Sequence, residues 1–155
     1  MIEIDAKIFE EFLDKLTLGG MIGTCIIETD KATMFSRVQT KDNILYGKVT
    51  IPKKIFNTFE EGVKISLGEV ENFSDVKLLR DVLQGYVGKL KILIEDNMLR
   101  LECGDDSAQI PLTAEEFVVN NAAKEPQLQF DNGIDFDTAF LKKAVNNIST
   151  LTTKY

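Results

Sequence analysis

Apolar residues Ile8, Phe9, Phe12, Leu13 and Leu16 recur at i, i+1, i+4, i+5 and i+8, which places all five on one stripe of a helix. The spacing predicts a helix from about Asp5 to Leu18, stopped by Gly19-Gly20. Asp5 opens it, where a carboxylate can accept from the free N–H groups of the first turn. A different period follows. Thr24 to Glu28, Thr33 to Gln39 and Ile44 to Ile51 read as strands, and the polar breaks "TDKA" and "TKDN" between them suit an antiparallel meander. Pro52 stands where a first helical turn tolerates it, so "PKKIFNTF" predicts a short helix, and Val63 to Leu67 a further strand.

A second helix is predicted over Val70 to Gln84, with Phe73, Val76, Leu79 and Leu83 as its core stripe, Leu78 and Val82 beside it, and Gly85 as its stop. The runs "KLKILIED", "MLRLECG" and "AQIPLTA" then read as three strands, with a tight turn at Asp96-Asn97. Leu90, Ile92 and Ile94 alternate with Lys89, Lys91 and Glu95, the period of a sheet with one wet face. Residues 114–127, "AEEFVVNNAAKEPQ", lose the alternation and read as a linker. Two helices among about eight antiparallel strands predict an α+β fold with both helices on one face of an antiparallel sheet.

The opening pattern returns near the other end. Aligning "IEIDAKIFEEFLDKL" with "GIDFDTAFLKKAVNNI" sets Asp5 on Asp137, an offset of 132. The first stripe then falls on Phe140, Leu141, Ala144, Val145 and Ile148. Short apolar segments, Ile2 to Ile4 and Ile134 to Phe136, precede both as strands would. An internal repeat makes residues 128–155 the first strand and helix of a second copy, after a first domain over 1–113 and a linker over 114–127. Chance similarity between two amphipathic helices is the competing explanation.

The 155 residues, 44% hydrophobic and 28% charged, describe a globular chain with material for a real core. No apolar run approaches the roughly 18 residues of a membrane span, and the N-terminus lacks a signal-peptide pattern. Cys25 and Cys103 lie in apolar β-like runs, which suits buried free thiols in a reducing compartment better than a disulfide. The expected location is cytoplasmic or nucleoid-associated, a viral protein within a host cell included. The net charge of −7 is unevenly spread. Residues 105–137 hold eight acids against the single base Lys124, whereas 138–155 carry Lys142, Lys143 and Lys154 with no acid. An acidic total argues against nucleic acid, but a local basic surface remains compatible with it.

The candidate chemistry is sparse. With no histidine anywhere, the commonest general base, zinc ligand and triad member is missing. Two separated cysteines do not build a zinc site alone, and no phosphate-cradling glycine motif or nucleophile elbow occurs. Asp105-Asp106 could pair on a metal, but after Gly104 in a turn they read more simply as solvated. The set Asp5, Glu10, Glu11 and Asp14 is a cap and a wet face, where Lys7–Glu11 and Glu11–Lys15 are stabilising i, i+4 pairs. The expectation is a protein that is not an enzyme, with no catalytic residue, metal or cofactor.

The stretch "GVKISLGEVENFSDVKLLRDVLQGYVGKLKILIEDNMLRLECGDDSAQIPL" resembles the DNA sliding clamps, both the proliferating-cell-nuclear-antigen-like rings and the T-even phage type. It has their succession of strand, helix, lysine-bearing strand and hairpin. "IFEEFLDKLTLGGMIGTCIIETDKATMFSRVQT" is similar to their opening helix and meander, closest to the phage clamps. The resemblance covers residues 1–113, with 134–150 similar to the start of the next repeat. It implies a subunit built from such half-repeats, a ring-forming homo-oligomer when full length, and helices lining a hole through which duplex DNA passes without being read. It further implies a DNA polymerase and a clamp loader as partners, and a 155-residue chain that is a piece of a longer protein.

Carried onto this sequence, the resemblance makes Lys7 and Lys15 on the first helix, Lys77 and Arg80 on the second, and Lys142 and Lys143 on the last the DNA-facing residues. On the second helix, Lys77, Arg80, Asp81 and Gln84 share a face by i, i+3, i+4, i+7 spacing. Glu10, Glu11 and Asp14 depart from a basic lining. The partner pocket that such clamps carry beside their linker falls on Phe117, Val118 and Val119, with Met34 as a wall; anchoring of the linker to the core accounts for Phe117 and Val118 equally well. A competing reading is a non-enzymatic acidic α+β interaction or dimerisation module without DNA binding, and a hydrolase is a third.

Overall fold

The computed structural model describes residues 1–40, 45–70, 73–118, 135 and 137–143. The chain divides into two compact units, 1–125 and 126–155. The first begins with strand β1 (Ile2–Asp5), which runs directly into helix α1 (Ala6–Leu16). Asp5 is the N-cap, its carboxylate accepting from the Lys7 N–H at 2.9 Å. Ala6, Phe9, Phe12, Leu13 and Leu16 form the buried stripe. Ile8, expected within it, lies at the margin and is 38% exposed. The helix ends in three successive left-handed residues, Leu18, Gly19 and Gly20. Their turn returns the Gly20 and Ile22 N–H groups to the Thr17 carbonyl, each at 3.0 Å.

The strands form two four-stranded sheets, where the alternation alone had suggested one. β2 (Cys25–Thr29), β3 (Thr33–Gln39), β4 (Tyr46–Pro52) and β5 (Lys64–Leu67) pair antiparallel in the order β4-β3-β2-β5. The β2–β3 turn is held by Asp30, whose Oδ1 accepts from the Ala32 and Thr33 N–H groups, both at 2.8 Å. A 3-10 turn at Lys53–Ile55 follows Pro52, shorter than the helix expected there. β6 (Glu69–Val70) and β7 (Phe73–Ser74) form a two-stranded ribbon leading into helix α2 (Asp75–Leu83). The expected start of the second helix at Val70 is thus displaced to Asp75, because pairing of Glu69 with Ser74 takes the backbone bonds a first helical turn would need.

The second sheet takes β8 (Lys89–Glu95), β9 (Met98–Cys103) and β10 (Asp106–Pro111) in the order β1-β8-β9-β10. Asp96 and Asn97 both have positive φ, at 50° and 63°, as the predicted two-residue turn requires. Asp106 lies inside β10 opposite Cys103, so the turn is carried by Gly104 and Asp105. Residues 112 and 113 leave the second sheet for the first: the Leu112 N–H donates to the Asn97 carbonyl at 2.9 Å, and the Thr113 N–H to the Ser66 carbonyl at 3.2 Å.

Helices α1 and α2 contact one another and share one apolar core with both sheets. α1 contributes Phe9, Phe12, Leu13 and Leu16, and α2 contributes Val76, Leu79 and Leu83. The strands add alternate residues such as Ile27, Met34, Val38, Ile65, Leu90, Ile92, Leu99 and Leu101. Ile94, expected to continue the β8 stripe, is half-exposed at the strand's end. In the second unit, residues 138–143 are helical behind Asp137, whose Oδ1 accepts from the Ala139 N–H at 2.8 Å. Phe140 and Leu141 are exposed there, while Ala144, Val145 and Ile148 lie outside the described residues.

Candidate functional site

Burial of Val76, Leu79 and Leu83 turns the opposite side of α2 outward, which leaves Lys77, Asp81 and Gln84 exposed and Arg80 half-buried. The same logic on α1 exposes Lys7, Glu11, Asp14 and Lys15. Because the helices lie side by side, these polar rows adjoin. The Arg80 guanidinium crosses to α1, and its Nη2 pairs with Asp14 Oδ1. Beside that pair is a depression of about 250 Å³ lined by Thr17, Gly20 to Gly23, Glu69, Lys77 and Arg80. Its two cations are accompanied by the Glu69 carboxylate, so the surface is mixed in sign where a basic one was expected. Lys142 and Lys143 are exposed on the helix of the second unit.

The expected partner residues separate. Met34 is wholly buried among the core side chains of the first unit and presents no surface to a partner. Its position on β3 opposite Ile51 turns it inward, a consequence of strand register that its sequence neighbourhood does not reveal. Phe117 ends a 3-10 turn at Glu115–Phe117 and is 70% exposed, whereas Val118 beside it is buried. Val119 lies outside the described residues. Glu115 Oε2 pairs with Lys64 Nζ of β5 at 3.1 Å, which tethers the turn to the first sheet. The tether and the exposed ring favour Phe117 over Val118 as a contact residue.

Sequence reasoning overlooked Asp75 and Thr113. The helical spacing from Val70 to Gln84 makes Asp75 an interior position, although Ser and Asp at 74 and 75 are residue types that open a helix. Its carboxylate is buried and accepts through Oδ2 from the Gly68 N–H at 2.9 Å and from Thr113 Oγ1 at 3.0 Å. Cys25 and Cys103 are free and buried. Burial pushes the Cys25 thiol up to about 12, against a smaller opposing effect from Ser36. Among the described residues no cluster of His, Cys, Asp and Glu has the arrangement of a metal site.

The sequence matches no protein-family model and no curated protein sequence. Solved structures do match. A chain in the structure of the C-terminal region of FEN-1 bound to A. fulgidus PCNA is similar over 83% of this chain and 51% of its own, with a TM-score of 0.66 and 16% identity. PCNA from Thermococcus kodakaraensis is similar over 85% of this chain and 51% of its own, with a TM-score of 0.55 and 17% identity. The chain therefore spans about half the length of the solved chains it matches. The helix pair, the two four-stranded sheets and these similarities together give the chain the α+β fold of the sliding clamps.

Proposed function

We propose that this chain belongs to a DNA sliding clamp, a non-enzymatic processivity factor that assembles into a homo-oligomeric ring around duplex DNA and tethers a DNA polymerase, with a clamp loader to open it. The observation that carries this reading is the clamp fold itself, with α1 and α2 in contact and Lys7, Lys15 and Lys77 exposed on them. Contacts of that kind hold phosphates without reading bases. The sheet edges support ring assembly. The outer edge of β1 is bridged by Glu3 to Thr58, and that of β5 by the Thr113 N–H. Among the described residues, β4 and β10 have no second neighbour, which leaves one open edge on each sheet for another subunit. No described helix is long and apolar enough to cross a membrane.

The test is topological. The assembled protein should remain on closed circular duplex DNA and be lost when the circle is cut; equal retention on linear and circular DNA overturns the reading. The pairing of Arg80 with Asp14 and the acids on α1 favour an acidic interaction module as the second reading. That module forms a defined complex without retaining either form of DNA.

A further inference from the structure

We propose that Asp75, Thr113 and Gly68 form a conformational latch coupling the seating of residues 112–118 to the first turn of α2. Asp75 and Gly68 bind reciprocally: the Asp75 N–H donates to the Gly68 carbonyl at 3.0 Å, and the Gly68 N–H to Asp75 Oδ2 at 2.9 Å. The carboxylate's second donor comes from 38 residues further along, the Thr113 hydroxyl at 3.0 Å. Thr113 lies directly on the Gly68 backbone. A β-carbon at position 68 would stand 2.4 Å from Thr113 Oγ1, so only glycine admits this contact. Thr113 is also bound to β5 through its N–H and, at its carbonyl, by the Ser66 hydroxyl.

A buried carboxylate tolerates the loss of a donor poorly, because the uncompensated charge must be rehydrated or moved. Lifting Thr113 therefore disturbs Asp75, and Asp75 is the first residue of α2. The latch joins two surfaces that are otherwise separate. One is the turn carrying exposed Phe117, four residues beyond Thr113; the other is the helix carrying Lys77 and Arg80. An occupant that grips Phe117 and draws the segment outward is felt at the start of α2. This coupling stands on the contacts alone and does not depend on the clamp reading.

Amide hydrogen exchange on the whole chain tests it. Thr113→Val removes the hydroxyl at nearly constant volume. Loss of a bond to a charged acceptor is expected to speed exchange about tenfold at Leu112, Phe117 and Val118 and also at Gly68 and Asp75, with Leu90 and Leu101 unchanged. Thr113→Ser keeps the hydroxyl and should restore both sets. Asp75→Asn should loosen 112–118 in the same way, and if that variant fails to fold, the two Thr113 variants decide. Faster exchange confined to 112–118, no change at either set, or a uniform rise that includes Leu90 and Leu101 each overturns the latch.

Discussion

Arg80 on α2 and Asp14 on α1 form an ion pair across the two helices, joining residues 66 positions apart in the chain. The pair bears on the proposed function because it engages a guanidinium on the side expected to meet phosphates. Both side chains are partly exposed, so the pair contributes only about 0–1 kcal/mol to stability. Its larger effect is on the charge presented outward.

Asp14→Asn should therefore release Arg80 with little change in folding. In the assembled protein, association with duplex DNA should strengthen for every sequence alike. The slope of log affinity against log salt should steepen by about 0.9, the contribution of one added phosphate contact. The double variant Lys77→Glu, Arg80→Glu should act in the opposite direction, weakening association and flattening the slope. An unchanged salt slope in both variants would show that this side of the helices does not meet DNA.

Phe9 is fully buried, and its ring stacks on Phe12 with centroids 6.0 Å apart. Phe9→Ala leaves a cavity between α1 and the strands beneath it. Urea unfolding should show a loss of about 3–5 kcal/mol, the range for truncating a core aromatic. Ile8→Ala, at the exposed margin of the same helix, should cost much less in the same experiment.

Asp5 and Asp137 cap their helices with the same geometry, each accepting from the N–H two residues on. Asp5→Ala should destabilise the first unit by about 0.5–2 kcal/mol, measured by denaturant unfolding. Asp137→Ala should leave that transition in place and speed amide exchange at Ala139 and Leu141, whose N–H groups bond the Asp137 side chain and carbonyl.

The buried Cys25 thiol gives the protein an alkaline limit. Its folded value, about 12, exceeds the ordinary 9.0, so the folded state holds this proton more tightly than the unfolded chain. The associated stability is fully present below about pH 9 and is lost as pH rises toward 12. One such group accounts for at most about 1.4 kcal/mol per pH unit. Unfolding free energies measured from pH 8 to 10.5 should fall less steeply in Cys25→Ala than in the parent. In the folded protein at pH 8, Cys25 should react with a thiol reagent only as fast as the chain opens.

Local order determined a large part of this protein. The α1 stripe and its Asp5 cap, the β2–β3–β4 meander and the Asp96-Asn97 turn all depend on residues within a few positions of one another. Periodicity and turn chemistry report such contacts directly. The polar positions Lys7, Lys15 and Lys77 were legible for the same reason, since a buried stripe defines its opposite side.

Tertiary structure decided what depends on distant segments. Val70 to Ser74 has residues at helical spacing, yet the pairing of Glu69 with Ser74 makes it a ribbon and moves the start of α2 to Asp75. Alternation marks the strands but carries no information on which neighbour each one bonds, so the division into two sheets was not visible. Register turned Met34 into the core, where no partner reaches it. The contacts of Asp14 with Arg80 and of Asp75 with Thr113 join side chains far apart in the chain. Their physical basis is charge and desolvation in a folded environment, which exists only after the helices and the chain exit have been brought together.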